Sequence, residues 1–366
     1  MSFRATKNLS LSNYENREDI VFLEETPAAS YKRLNPHMIA SDRLPESDLA
    51  HLQSIFSNKN PSSEGMKAYL LKDVVAFPSG AILLKDGSII IESIHHSRTA
   101  NESRVEEFFD SPEYASFLID GVTEVISSAV TINQWSSDNF GHFLVEVMPK
   151  VNLLKSVSIS PEVPVLVNRR VRGPIEVIYR ESFALLGLYP KMIARNSPIK
   201  VEELFFVTTP GVHGVSKYAP NIALVRSLCP NVGGVGNRRI WLHRDNQFKR
   251  RLLNQDLLIE VAKSHGFELV DVTGQSLAQQ ARNLQGASVI AGPVGAAFSG
   301  IIFADVGASI INLFPSAGRE TFFYDLACIN SQKYTYVFGK SENPGMRYNS
   351  DYYIDVNTFE AALPEA

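Results

Sequence analysis

"ASVIAGPVGAAFSGIIFADVGASIINLF", residues 287–314, decides the fold class. An apolar run of strand length ends on Gly292 and Pro293. Gly295, Ala296 and Ala297 then open an apolar helical stretch, and "SIINLF" (309–314) reads as a second strand. Strand, small-residue turn, helix and strand in that order are the repeating unit of an α/β fold with a parallel sheet. Small residues at such a turn also let backbone N–H groups approach an anion, although close helix–sheet packing explains them equally well.

The same alternation extends in both directions. Ahead lie "RIWLHR" (strand), "NQDLLIEVAKSHG" (helix), "FELVDV" (strand) and "SLAQQARNLQ" (helix); behind lie "TFFYDLACIN" (helix) and "YTYVFG" (strand). Ser276 and Gln279 have the spacing of a capping box, and Gly266 follows His265 where a helix C-terminus wants glycine. An earlier series starts with a helix at about 139–155 and continues through "VPVLVN", "IEVIYRESFALLGL", "VEELFFVTT" and "NIALVRSL". The Gly-rich "CPNVGGVGNRR" (229–239) reads as the linker between the two series. Residues 1–65 are polar and weakly patterned, and the two apolar runs around Asp86-Gly87 predict a β-hairpin. The expected organisation is therefore a β-rich N-terminal region (1–130), a first Rossmann-like domain (131–230), a second (231–345), and a tail (346–366) returning to the N-terminal lobe.

Composition narrows the function. The chain has 366 residues, 45% hydrophobic and 20% charged, with a net charge of −4. That profile is globular and lacks the basic footprint of a nucleic-acid binder. The basic clusters Arg169-Arg170, Arg238-Arg239 and Lys249-Arg250-Arg251 are short, of a size to meet a few phosphates. Cys229 and Cys328 have no ligand spacing, and "IHHS" (94–97) places its two histidines side by side rather than a helical turn apart. No metal site is expected. The N-terminus has no signal-like apolar core and no run reaches the ~18 apolar residues of a span. A cytoplasmic location is expected, with membrane contact peripheral at most. An oligomer is allowed.

Residues 138–150, "DNFGHFLVEVMPK", carry the most suggestive chemistry. Phe140, Phe143, Leu144, Val147, Met148, Val151 and Leu154 recur at helical spacing and mark a core-facing stripe. His142 and Glu146 fall together on the other side, one turn apart. Asp138 or Asn139 can cap the helix, and Pro149 should kink or end it. Two readings of the pair are open. Glu146 can pair with Lys150 on a solvated face, or it can orient His142 as a general base. In "LHRDNQFKRRLLNQDLL", His243, Arg244, Lys249, Arg250 and Arg251 follow a strand, where loops face the ligand crevice of an open α/β sheet.

In order, "NFGHFLVEVMPKV", "HRDNQFKRRLLNQDLL" and "ASVIAGPVGAAFSGIIFADVGASIINLFP" resemble glycosyltransferase family 61, over roughly residues 70–340. The resemblance implies a GT-B architecture, two Rossmann-like domains facing a cleft. It also implies an inverting transfer without metal or other cofactor, from a nucleotide-sugar donor to a saccharide or lipid-linked saccharide acceptor. Bacterial members are associated with capsular or extracellular polysaccharide synthesis. Carried over, His142 or Glu146 would deprotonate the acceptor, with Asp138, Asn139 and His213 beside it. Arg244, Arg250, Arg251, Gly292, Pro293, Gly295, Ala296 and Asn312 would hold the donor. Three positions depart from the family's pattern: Val294 stands for a histidine, Asn312 for an acidic residue near the ribose, and Gln255 for an acidic residue. A binder of the same fold without catalysis, or a hydrolase, are the alternative functions.

Overall fold

The computed structural model describes residues 8–11, 17–94, 101–134, 136–157, 159–211, 214–230, 236–245 and 249–364, with backbone only for 101–104. The chain divides into two compact units, residues 1–29 with 63–213 and residues 30–62 with 214–366.

The first unit is built on a mixed sheet. Val125–Thr131, Val165–Val167 and Met192–Ala194 lie side by side and parallel. The chain then returns to the other side of Val125–Thr131, where Ile199–Val207 pairs with it, also in parallel. This reversal makes a topological switch point between those two strands. Lys67–Ala76 continues the sheet antiparallel to Ile199–Val207, and the predicted hairpin forms, with Leu83 opposite Ile89 and Gly87 at φ 82°. Most of the expected β-rich N-terminal region is thus part of this unit's own sheet. It also contributes helices at Asn101–Phe109 and Pro112–Asp120.

The second unit is a six-stranded parallel sheet in the order Phe267–Val270, Arg238–Leu242, Ala287–Pro293, Ser309–Phe314, Lys333–Phe338 and His37–Ile39. The first five have a doubly wound order, with the switch point between Arg238–Leu242 and Ala287–Pro293. Buried Leu258, Ile259 and Ala262 of the helix Gln255–Ser264 share a core with Trp241, Val289 and Ile311. The predicted capping box is present at Ser276 and Gln279, and Gly266 takes the left-handed conformation at φ 75°.

Two expected boundaries shift. Residues 30–62 leave the first unit, and His37–Ile39 covers what would be the free edge of Lys333–Phe338. The tail stays with the second unit instead of returning to the N-terminal lobe. Tyr352 donates to Leu313 O at 2.8 Å, and Phe359 stacks edge-on against Trp241. Among the described residues no helix is long and apolar enough to cross a membrane.

Candidate active site

Asn139 caps the helix as the sequence suggests, its Oδ1 accepting from Gly141 N at 2.9 Å. The helix is not regular beyond that point. Phe140–His142 is α-helical, Phe143–Val147 forms a π turn, and Met148–Ser156 resumes the α form. The π turn explains why Pro149 neither ends nor breaks the helix. It lies near the start of the second α segment, where its missing N–H has no partner to lose. Such turns concentrate at functional sites.

From Gly141 to Val151 the helix is buried on every side. His142 is 9% exposed, Glu146 5% and Lys150 1%, which rules out the solvated-face reading. His142 Nδ1 lies 2.9 Å from Glu146 Oε2. Gln134 Nε2 donates to the same oxygen at 3.0 Å. Gln134 Oε1 in turn accepts from Thr209 Oγ1 at 2.8 Å, and Thr209 Oγ1 accepts from Lys150 Nζ at 2.8 Å. One unbroken chain of hydrogen bonds therefore joins imidazole, carboxylate, amide, hydroxyl and amine. Gln134 follows Val125–Thr131 and Thr209 follows Ile199–Val207, so both leave the carboxyl ends of the strands flanking the switch point. Ligands of open α/β sheets bind at that place. The carboxylate contacts the imidazole at Nδ1, the geometry in which a carboxylate orients a histidine ring. Burial pushes the Lys150 amine down to about 7, against an upward pull from Glu146.

Asp138 sits 3.8 Å from Arg170, partly exposed, in the turn ahead of the helix. The turn is pinned from below by Tyr179, whose hydroxyl donates to Ser137 O at 2.7 Å and whose ring stacks on Phe143. His213 lies outside the described residues.

In the second unit the switch point brings the loop after Leu242 against the turn after Pro293. A Cβ on Gly292 would lie 2.4 Å from Leu242 O, and one on Gly295 3.0 Å from Arg244 Cδ. At Gly292 only glycine allows this approach to backbone, and at Gly295 a larger residue would push against the Arg244 side chain. Arg244 donates to Val294 O and, at 2.7 Å, to Lys249 O. Burial lowers its pKa, and the nearby Arg250 charge adds to the effect. Arg250 lies over the Tyr348 ring at 4.2 Å, with φ 62° and its buried Nε lacking a hydrogen-bond partner. Among the described residues no carboxylate forms an ion pair with either guanidinium. Two like charges beside a glycine turn, Arg244 largely desolvated, make a site that an anion would relieve. The segment after the turn is 3-10 rather than α-helical, Ala296–Phe303, and has no side-chain cap. Val294 N–H is taken by Leu313 O at 2.9 Å, so Gly295 and Ala296 supply the turn's amides.

Four positions on the expected donor side are buried or engaged elsewhere. Arg251 forks onto Asp351 with contacts of 2.6 and 2.8 Å. Asn312, directly opposite Gly292, is fully buried and donates to Tyr334 Oη at 2.8 Å. Val294 is fully buried too. Gln255 is also buried and donates to Arg244 O at 3.1 Å, bracing the arginine loop. Sequence reasoning missed Gln134, Thr209 and the true place of Lys150. Only the turn signal after each strand hinted at the first two.

Residues 140–311 match the family model described as Glycosyltransferase 61. The chain is a glycosyltransferase. No curated protein matches it. The matched segment of the glycosyltransferase contains His142, Glu146, Lys150 and Thr209 of one unit, and Arg244, Arg250 and the Gly292–Gly295 turn of the other. Gln134 and Asp138 precede it, and Asn312 and Asp351 follow it.

Proposed function

We propose that this glycosyltransferase moves a sugar, with inversion, from a nucleotide-sugar to a saccharide acceptor, in the synthesis of a bacterial surface polysaccharide. The observation that carries the reading is the buried chain from His142 to Lys150 at the first unit's switch point. In this mechanism the first unit holds the acceptor and the second the donor, in a GT-B arrangement. The acceptor hydroxyl gives its proton to His142 Nε2 as its oxygen attacks the anomeric carbon. The bond to the nucleoside diphosphate breaks on the opposite face, which inverts the configuration. Glu146 stabilises the imidazolium that forms. Arg244, Arg250 and the amides of Gly295 and Ala296 meet the charge gathering on the leaving diphosphate, so the step as drawn calls on no metal.

The test is nucleotide release across a panel of nucleotide-sugars with mixed saccharide acceptors. His142→Ala should lose roughly 10²–10⁴-fold in turnover while its circular dichroism stays native. Wild-type turnover in that variant removes His142 from the mechanism. A second reading follows from Asn312 and Val294, which are buried and offer the donor no polar contact. It is a nucleotide-binding protein without transfer activity, and its mark is tight calorimetric binding of a nucleotide with no turnover on any acceptor.

A further inference from the structure

The first unit has a polar cavity of about 630 Å³ beside the turn that leads into His142. Its size falls within the roughly 300–1,000 Å³ of small-molecule sites. Asp138, Asn168, Arg169, Arg170, Asn196 and Glu113 are among its lining residues. Asp138 and the Asn168–Arg170 segment follow adjacent parallel strands, Val125–Thr131 and Val165–Val167, and so leave their carboxyl ends. Amides, hydroxyls and carboxylates in one cavity suit a ligand rich in hydroxyl groups. Ser136, also in the lining, holds a left-handed φ of 59°, a conformation kept at a cost and concentrated at binding sites.

The charges in the cavity do not all cancel. Asp138 pairs with Arg170 at 3.8 Å. Glu113 sits in the first turn of the helix Pro112–Asp120, where the helix dipole favours it, and accepts from Ser79 N at 3.1 Å. Arg169 is exposed and has no ion pair or side-chain hydrogen bond among the described residues. Its planar fork is the natural receptor for a carboxylate or phosphate.

We propose that this cavity binds a saccharide bearing a carboxylate or a phosphate, and that Arg169 recognises the anionic group. The inference rests on reading the first unit as the acceptor side, and it makes the acceptor an acidic sugar. Asp138 and Asn168 hold its hydroxyls, and the cavity's place ahead of His142 sets which hydroxyl meets the base.

The test is binding, independent of turnover, measured on the full chain by saturation-transfer NMR and calorimetry. The probes are methyl β-D-glucuronide, glucose 6-phosphate and neutral methyl β-D-glucoside. One anionic probe should bind at least about tenfold more tightly than the glucoside, a difference of one decade in Kd. Which one it is separates a uronic acid from a sugar phosphate. Arg169→Gln should bring that probe to the neutral level with native circular dichroism, while Arg172→Gln should leave the preference intact. Equal binding of all three probes, no binding, or a preference that survives Arg169→Gln overturns the proposal. Those results would leave a His142-dependent transfer activity standing. Conversely, Arg169-dependent binding alongside His142-independent turnover would sink only the assignment of the base.

Discussion

Lys150 holds an amine in the core with Thr209 Oγ1 at 2.8 Å, and burial takes its pKa down to about 7. In the unfolded chain a lysine keeps its proton to about 10.4. Between those values folding releases a proton, so the lysine's contribution to stability rises with pH and is lost as pH falls through about 7. Lys150→Met has no proton to release. Denaturant unfolding at pH 6.5 and pH 9 should show the wild type gaining a few kcal/mol more than the variant over that range. Equal gains would mean that the amine is not desolvated. Because Lys150 is joined to His142 through Thr209, Gln134 and Glu146, in the proposed mechanism it would act as a positioning residue. The variant should shift the pH profile of kcat and leave KM for the donor nearly unchanged. The arginines allow a second contrast. Arg251 is already matched by Asp351, whereas Arg244 is spent on carbonyl groups. By calorimetry, Arg244→Ala should weaken nucleoside diphosphate binding about tenfold or more, and Arg251→Ala much less.

At the scale of elements, the helix from Phe140 to Ser156 shows how a local rule can be broken without loss. Pro149 would cost about 3 kcal/mol in a regular helix interior, and the π turn before it removes most of that cost by restarting the hydrogen-bond ladder. The start of the helix is capped by Asn139, through one bond to Gly141 N. Asn139→Ala should destabilise the protein by about 1 kcal/mol, read from a denaturation midpoint. Turnover should fall by more than that loss of stability accounts for, since His142 lies in the first turn. A purely structural cap would change the midpoint and leave turnover of the folded fraction intact. The two glycine positions after Ala291 act at the same scale. They let strand and loop approach closely, which fixes where Arg244 can lie.

At the scale of the whole molecule, residues 30–62 are tied into the second unit by Arg33. Its guanidinium contacts Asp325 at 2.8 and 3.0 Å, and it also donates to Ile55 O at 2.9 Å and Val215 O at 2.6 Å. Both side chains of the pair are 1% exposed, so removing one strands the other's charge in the core. Arg33→Met should cost about 3–5 kcal/mol. The double variant Arg33→Met with Asp325→Leu should recover much of it, because no charge is then left unmatched. Chemical denaturation of the three proteins checks this. Full additivity of the two substitutions would show that the pair is not coupled.

The sequence by itself determined whatever depends on neighbours along the chain. The alternation of strands and helices from residue 239 to 338 follows from periodicity and turn residues. The caps at Asn139 and Ser276 and the pairing of His142 with Glu146 each span four residues or fewer, and one turn of backbone sets their geometry. Only the tertiary structure decided which distant groups meet. Gln134 and Thr209 are 75 residues apart, and Arg251 and Asp351 are 100 apart. Strand order and register bring them together, and no local pattern encodes either. The same holds for Lys150, whose place in the helix looks like a surface position until the strands around it take water away.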